Sequence, residues 1–286
     1  MKNNNLTDVK YIKDVLSRNG FEFSRSLGQN FIINPSVCPR IAEEGGAARG
    51  TGIIEIGAGV GVLTKELAAR ADKVVSVEID KRLLPILEET LADCHNVRII
   101  NADFMKTDIR ALIEENFGGL DVKVCANLPY YITSPIIMKL LEDRLPISSA
   151  TVMVQKEAAV RLCAKDGTRE CGAVTYAVRY FSEPRILFGV SRGSFLPPPD
   201  VDSSVIRFDM LSEPPVRPND EEFFFRLIRA AFSQRRKTAA NAMSSAGIEK
   251  SRISEALESC GLSAGIRPEQ LLLEDFAKLS DILKVY

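Results

Sequence analysis

Asn127-Leu128-Pro129-Tyr130 is the stretch of this sequence whose residue types most directly suggest chemistry. The amide oxygen of an asparagine and the carbonyl of the next residue are both hydrogen-bond acceptors. Together they can grip an exocyclic amino group such as the N6 of an adenine. That nitrogen is a poor nucleophile because its lone pair is delocalised into the ring. Two acceptors bias it toward tetrahedral geometry and aim the lone pair at a methyl donor. Pro129 has a fixed φ and would keep the neighbouring carbonyls facing the pocket. Tyr130 offers a face on which a base can stack, an interaction worth ~1–3 kcal/mol. Catalysis of this kind is orientation and electrostatic fit, with no required general base. The tetrapeptide alone also reads as a β-turn with a buried tyrosine, so its place in the fold decides.

Three earlier motifs supply that place. Glu55-Ile56-Gly57-Ala58-Gly59-Val60-Gly61 joins a predicted strand to a predicted helix. Glycines there let a cofactor approach the backbone. The spacing is G-x-G-x-G rather than the G-x-G-x-x-G of dinucleotide enzymes, and it does not by itself identify the cofactor. Glu78, which closes the second predicted strand, is placed to accept hydrogen bonds from a ribose diol. Asp103, just past the third, can accept from the cofactor's adenine amino group. Each acid alone reads as a solvated loop residue; in succession at strand ends they read as a binding site.

The elements that must hold these residues alternate. Predicted strands at 52–56, 73–77, 97–100, 122–126 and 150–154 are short apolar runs, which suits buried parallel strands. Between and after them the spacing predicts helices at 60–70, 81–91, 108–116, 134–143, 156–164 and 171–180. Such alternation implies a parallel sheet covered by helices on both faces. Strands at 186–190 and 201–210, joined through Gly193 and Pro197-Pro198-Pro199, would add an antiparallel hairpin at one edge. Residues 1–50 read as helix, loop, helix. Residues 212–218, with three prolines, are the best linker. Asn219 followed by Glu222 reads as an N-cap with a capping box. Helices at 221–232, 237–245, 250–259 and 274–284 follow. The expected organisation is a catalytic domain over 1–212, whose first 50 residues form a cover segment, and a helical domain over 219–286.

Composition excludes several function classes. The 286 residues are 45% hydrophobic and 26% charged, as in an ordinary globular protein. The six cysteines form no C-x-x-C pair and His95 is the only histidine, so no zinc site is expected. The same scarcity argues against Ser-His or Cys-His nucleophilic chemistry, and the cysteines read as free thiols in a reducing compartment. The start lacks the apolar stretch of a signal peptide and no apolar run reaches membrane-spanning length, so a soluble, cytoplasmic protein is expected. The net charge is −1, and residues 214–286 carry eleven basic against ten acidic residues. Nucleic-acid binding would therefore have to come from local patches.

The motifs, taken in order, resemble the rRNA adenine N6-dimethyltransferase family, and within it the bacterial small-subunit members. The resemblance runs over Leu27-Gly28-Gln29-Asn30-Phe31-Ile32, the Glu55–Gly61 turn, Glu78, Asp103 and Asn127–Tyr130. It continues through Val154-Gln155-Lys156-Glu157-Ala158, the stretch from Phe195 to Ser203, and Phe232-Ser233-Gln234-Arg235-Arg236-Lys237. It covers nearly the whole chain. Ile32 and Ile33 stand where a leucine and a polar residue are more usual. The resemblance implies a Rossmann-like class I methyltransferase sheet, mostly parallel, with a small all-helical C-terminal domain. It implies S-adenosyl-L-methionine as cofactor, bound by Asn30, Ile32, Glu55, Gly57, Gly59, Gly61, Glu78, Asp103 and Asn127. Asn127, Leu128, Pro129, Tyr130 and Phe195 would form the catalytic pocket, Phe195 near the target base or, equally, as a core residue leading into the proline turn. Arg235, Arg236 and Lys237 would face RNA or be a solvated helix end. The implied reaction is dimethylation of two adjacent adenosines near the 3′ end of 16S rRNA, in an assembling 30S subunit, by a monomer needing no metal or membrane. Three rivals stand beside it. They are a 23S rRNA resistance methyltransferase, an NAD-dependent dehydrogenase that leaves Asn127–Tyr130 idle, and a non-catalytic assembly factor on the same fold.

Overall fold

A strand covered by helices on both faces needs no polar side, so its sequence is an unbroken apolar run. Largely apolar runs of this kind form the middle of the parallel sheet, while the edge strand, Val97–Asn101, has no buried residue. The structure, a computed structural model, describes residues 5–24, 27–234 and 236–284. The chain opens with α1 (Val9–Arg18), β1 (Phe31–Ile32) and α2 (Val37–Glu44). It then alternates through β2 (Thr51–Ile56), α3 (Val62–Ala68), β3 (Lys73–Glu78), α4 (Leu84–Thr90), β4 (Val97–Asn101) and α5 (Ile109–Asn116). The alternation continues with β5 (Asp121–Asn127), α6 (Thr133–Glu142), β6 (Ser149–Gln155) and α7 (Lys156–Leu162). Next come α8 (Ala173–Phe181), β7 (Ser182–Val190), β8 (Phe195–Leu196) and β9 (Ser203–Met210). Four helices finish it: α9 (Glu221–Ala231), α10 (Ala239–Met243), α11 (Lys250–Ser259) and α12 (Leu273–Leu283).

The main sheet has seven strands in the order β4-β3-β2-β5-β6-β9-β7. The first five are parallel, and β9 runs antiparallel to β6. This is the mixed, Rossmann-like sheet that the alternation and the late hairpin imply. Its middle is dry: every residue of β2 is buried. Ile53, Val74, Cys125, Met153 and Val205 on one face join a core with Ile12, Ile41, Ala42 and Leu67 from the helices. Ile54, Val75, Val124 and Val152, on alternating positions and so on the other face, are buried as fully.

The strand order creates the crevice. From β2 the chain steps outward through β3 to β4, then returns to the other side of β2 as β5. The connections leaving β2 and β5 diverge at their carboxyl ends, and open α/β sheets bind ligands at such a switch point.

A two-stranded sheet was not anticipated from the sequence. β1 pairs antiparallel with β8, Phe31 opposite Leu196 and Ile32 opposite Phe195. The Ile33 amide extends the pairing by donating to the Ser194 carbonyl at 2.9 Å. The first-50-residue segment therefore contains a strand between its helices and is tied to the proline-turn region.

The chain forms two compact units, Met1–Ala159 with Arg185–Met210, and Val160–Pro184 with Leu211–Tyr286. The division differs from a boundary near 212: residues 160–184 group with the C-terminal helices. The cause is an aromatic core. The Tyr176 ring of α8 lies 4.9 Å from Phe276 and 5.4 Å from Phe232, and its hydroxyl donates to the Leu271 carbonyl at 2.6 Å. Tyr180 packs on Phe224 and Phe225 and donates to Glu221. The N-cap of α9 is Asp220, one residue beyond the expected Asn219; its carboxylate accepts from the Phe223 amide at 2.9 Å. The Asn219 amide instead donates to Asp281. Among the described residues, no helix is long and apolar enough to cross a membrane.

Candidate active site

Four parallel strands deliver one element each to the crevice. The turn after β2 carries Gly57 at φ +80° and Gly59 at φ +57°, a region that costs side chains with a Cβ. A Cβ on Gly57 would meet nothing within 4 Å, so the backbone there lies open to a ligand. A Cβ on Gly59 would come within 3.2 Å of the Phe31 ring. The turn is held to β3 by the Gly57 amide, which donates to the Val77 carbonyl at 2.9 Å.

Glu78 ends β3 and is buried, yet it lines the cavity. Its carboxylate accepts from the Gly59 amide at 3.1 Å and from the Asp80 amide at 2.8 Å. Burial raises its pKa, opposed by those two hydrogen bonds. A carboxylate has about four acceptor positions, so two protein donors leave capacity for a diol. Asp103 follows β4, spends one oxygen on the Met105 amide at 2.9 Å, and also faces the cavity.

Asn127 ends β5. Its Nδ2 donates to the Asn30 carbonyl at 3.1 Å. Only the nitrogen end of an amide can donate to a carbonyl, so this contact settles the flip that amide groups usually leave open. The oxygen end is thereby left for a donor in the cavity. Leu128 is buried, with its amide donating to the Met153 carbonyl at 3.1 Å. Pro129 has φ −60° and ψ 131°, which turns the chain out of the strand. The Tyr130 hydroxyl is 2.7 Å from Ser203 Oγ on β9, which ties this lining residue to the sheet. Burial raises the phenol pKa, so it stays neutral.

These elements enclose a cleft of about 890 Å³, open solvent at its mouth included. Asn30, Gly57, Gly59, Glu78, Asp103 and Asn127–Tyr130 all line it. The donor set fits S-adenosylmethionine: an open glycine backbone, two strand-end carboxylates able to accept hydrogen bonds, and an asparagine on the same cleft.

Four expected site residues are not brought to the cleft wall. Ile32 and Phe195 face each other across the β1–β8 pair, 4% and 2% exposed. Phe195 is packed in the core beside β1, as its second reading expects. Gly61 caps the start of α3. Glu55 points into the sheet core, fully buried, where the Thr64 hydroxyl donates to it at 2.7 Å. Burial pushes its pKa up to about 7 against that hydrogen bond, and the Glu78 charge adds to the rise. Arg236 and Lys237 are exposed between α9 and α10; Arg235 lies outside the described residues.

The cleft also uses residues that had no assigned role. Gln29 lines it and donates to Asp80 at 2.7 Å. Ile79 and Tyr131, 52% and 60% exposed, form an apolar rim. An apolar residue directly after a strand-end acid was the available signal for Ile79. Ser203 gave none, because its partner Tyr130 is 73 residues away.

Comparison with known proteins agrees with this geometry. The family model for ribosomal RNA adenine dimethylase matches residues 20–284. The chain is 49% identical over 276 residues to a ribosomal RNA small subunit methyltransferase A of Geobacillus thermodenitrificans, covering 95% of this chain and 94% of that protein. It is 46% identical over 277 residues to the protein of the same name from Bacillus licheniformis, covering 95% of each. Among solved structures it is similar to the 23S rRNA methyltransferase ErmE, with TM-score 0.69 and 28% identity over 90% of this chain and all of that one. It is also similar to a dimethyladenosine transferase from Plasmodium falciparum, with TM-score 0.71 and 26% identity over 87% of this chain and 95% of that one.

Proposed function

Because the chain belongs to the ribosomal RNA adenine dimethylase family, we propose that it dimethylates N6 of two adjacent adenosines near the 3′ end of 16S rRNA. It is an S-adenosylmethionine-dependent rRNA adenine methyltransferase. The substrate in this reading is an assembling 30S subunit, met in the cytoplasm by a monomer that needs no metal. The observation that carries the reading is the Asn127 amide, fixed by Asn30 with its oxygen free for a donor.

Glu78 and Asp103 would hold the ribose and adenine of the cofactor, with the open Gly57–Gly59 backbone beside them. When bound, the cofactor's sulfonium supplies a methyl group on a good leaving group. The target adenine leaves its stack and enters the cleft, with its face on the Tyr130 ring. Asn127 Oδ1 and the Leu128 carbonyl accept from the amino group and turn its lone pair toward the methyl carbon. The proton that the amine loses on methylation would pass from the Asn127 and Leu128 acceptors to solvent at the cleft mouth. A second methyl requires the monomethylated base to return. Arg235, Arg236 and Lys237 contribute phosphate contacts.

The direct test incubates the protein with labelled methyl donor and unmethylated 30S or 50S particles and maps the modified nucleotides. Label is expected in N6-dimethyladenosine of the 30S RNA. Label confined to 50S particles would replace this reading with the large-subunit one. The small-subunit name attaches to relatives at 49% identity and the large-subunit name to a structure at 28%; this difference supports the small subunit.

A further inference from the structure

We infer that Gln29 is a positioning residue for methyl transfer: latched to Asp80, it holds the Asn30 carbonyl where it fixes the Asn127 amide with its oxygen toward the substrate amine. The inference rests on the proposed role of Asn127 as acceptor for N6. It adds what sets that acceptor.

An unanchored asparagine amide has two orientations of similar energy. In one it offers an oxygen to the incoming amino group. In the other it offers two N–H donors to a group that itself presents hydrogens, and the base is repelled. The Asn30 carbonyl, 3.1 Å from Asn127 Nδ2, selects the first. The carbonyl does this only if its own chain is held.

Asn30 is held from both sides. On its C-terminal side, Phe31 and Ile32 are paired with β8. On its N-terminal side no ladder is found among the described residues; there Asn30 Nδ2 donates to the Gly28 carbonyl at 3.1 Å, and Gln29 supplies the anchor to the rest of the site. Its Nε2 donates to Asp80 Oδ2 at 2.7 Å, while its Oε1 accepts from the Ser24 amide at 2.9 Å. Both ends of this amide are satisfied, so its direction is also fixed.

Asp80 is a firm anchor. It is 5% exposed. Arg82 grips both its oxygens, Nε on Oδ1 at 2.8 Å and Nη2 on Oδ2 at 2.7 Å. The guanidinium, with help from Gln29, holds the carboxyl below its ordinary range, so it remains an acceptor at neutral pH. Its backbone amide donates to Glu78 at 2.8 Å. The residue that would hold the ribose and the residue that would hold the target amine are thus joined through Asp80, Gln29 and Asn30. Methyl donor and acceptor are registered against each other by one short segment.

The test is a double-mutant cycle with a spectroscopic readout. Gln29→Ala removes the latch. Asn127→Asp keeps acceptor oxygens but loses the N–H given to Asn30. Each is expected to lower kcat on unmethylated 30S particles by roughly 10- to 100-fold, the scale of a misplaced reacting group. S-adenosylmethionine affinity of Gln29→Ala should fall much less than kcat, because Arg82 still grips Asp80 and the Asp80 amide still donates to Glu78 when the latch is cut. If Gln29 acts through Asn127, the double variant falls no further than the poorer single one. In labelled protein without cofactor, exchange of the Asn127 side-chain amide protons with water should be slow in wild type and at least roughly tenfold faster in Gln29→Ala. Wild-type kcat in Gln29→Ala, losses that multiply in the double variant, or unchanged amide exchange would each overturn the inference. A wild-type protein that methylates no adenine would instead remove the functional reading, and the exchange experiment would still decide the latch.

Discussion

The Asn127 side chain has two ends of opposite hydrogen-bonding character, and the fold uses both. Nδ2 is occupied by Asn30, which leaves Oδ1 for the substrate. Asn127→Ala is expected to lower kcat by roughly 10²–10³, as for loss of a preorganised group at the reacting atom. S-adenosylmethionine affinity, measured by calorimetry, should fall far less than kcat; full turnover by this variant would contradict the mechanism. Glu55 shows the opposite situation, a carboxyl whose charge the fold disfavours. Burial raises its pKa from 4.5 to about 7. Between those values the folded chain keeps a proton that the unfolded chain has lost. Stability therefore falls as pH rises through this window and stays lower above it. Glu55→Gln, which can still accept from Thr64, should be more stable than wild type at pH 8 by on the order of 2–3 kcal/mol. The gain should vanish near pH 4, where both states of the wild type are protonated. Urea denaturation at the two pH values checks it, and a Gln variant less stable at pH 8 would show that the Glu55 charge is welcome in the fold.

At the scale of elements, legibility followed burial. The parallel strands could be read because strands largely buried between helices leave mostly apolar runs, and Gly57, Glu78, Asp103 and Asn127, which the fold brings to one cleft, each stand at or just beyond such a run's end. The pairing of β1 with β8 could not. Strands of two residues have no periodicity, and Phe31 and Leu196 are far apart in sequence. Where Ile32 and Phe195 point was hidden for the same reason: a side chain's face is undefined until its partner strand is known. Residues 160–184 were read with the sheet because α8 continues the alternation, whereas its Tyr176 and Tyr180 find their partners among aromatics of later helices. The glycine turn gives a test at this scale. Gly59 sits at φ +57° with Phe31 of β1 3.2 Å from where a Cβ would stand. Gly59→Ala should lose about 1–2 kcal/mol of stability from the left-handed backbone alone. Pushing β1 away from the cleft should also weaken S-adenosylmethionine by roughly tenfold, a cost of about 1.4 kcal/mol. Unchanged affinity in a folded Gly59→Ala protein would mean that β1 does not shape the cofactor wall.

For the whole molecule the question is how a chain of net charge −1 holds a polyanion. Bulk attraction is unavailable, and residues 214–286, with eleven basic and ten acidic residues, are no better supplied. Affinity for RNA must come from a few phosphate contacts made by local groups. Each such contact releases counterions and adds about 0.9 to the slope of log affinity against log salt on a duplex, and about 0.7 on a single strand. Binding to 30S particles should therefore show a shallow slope. Arg236 and Lys237, exposed between α9 and α10, are the contacts to remove. Arg236→Ala with Lys237→Ala should weaken particle binding and lower the slope by about 1.4 to 1.8, one contact for each residue. Because charge and not cofactor geometry is altered, S-adenosylmethionine affinity and kcat at saturating substrate should hold. Filter binding over a range of potassium concentrations separates the cases. A slope identical to wild type would make this pair a solvated helix end and move the RNA contacts elsewhere on the surface. A lower slope with intact kcat would assign the pair to holding the particle, with the chemistry left to the cleft.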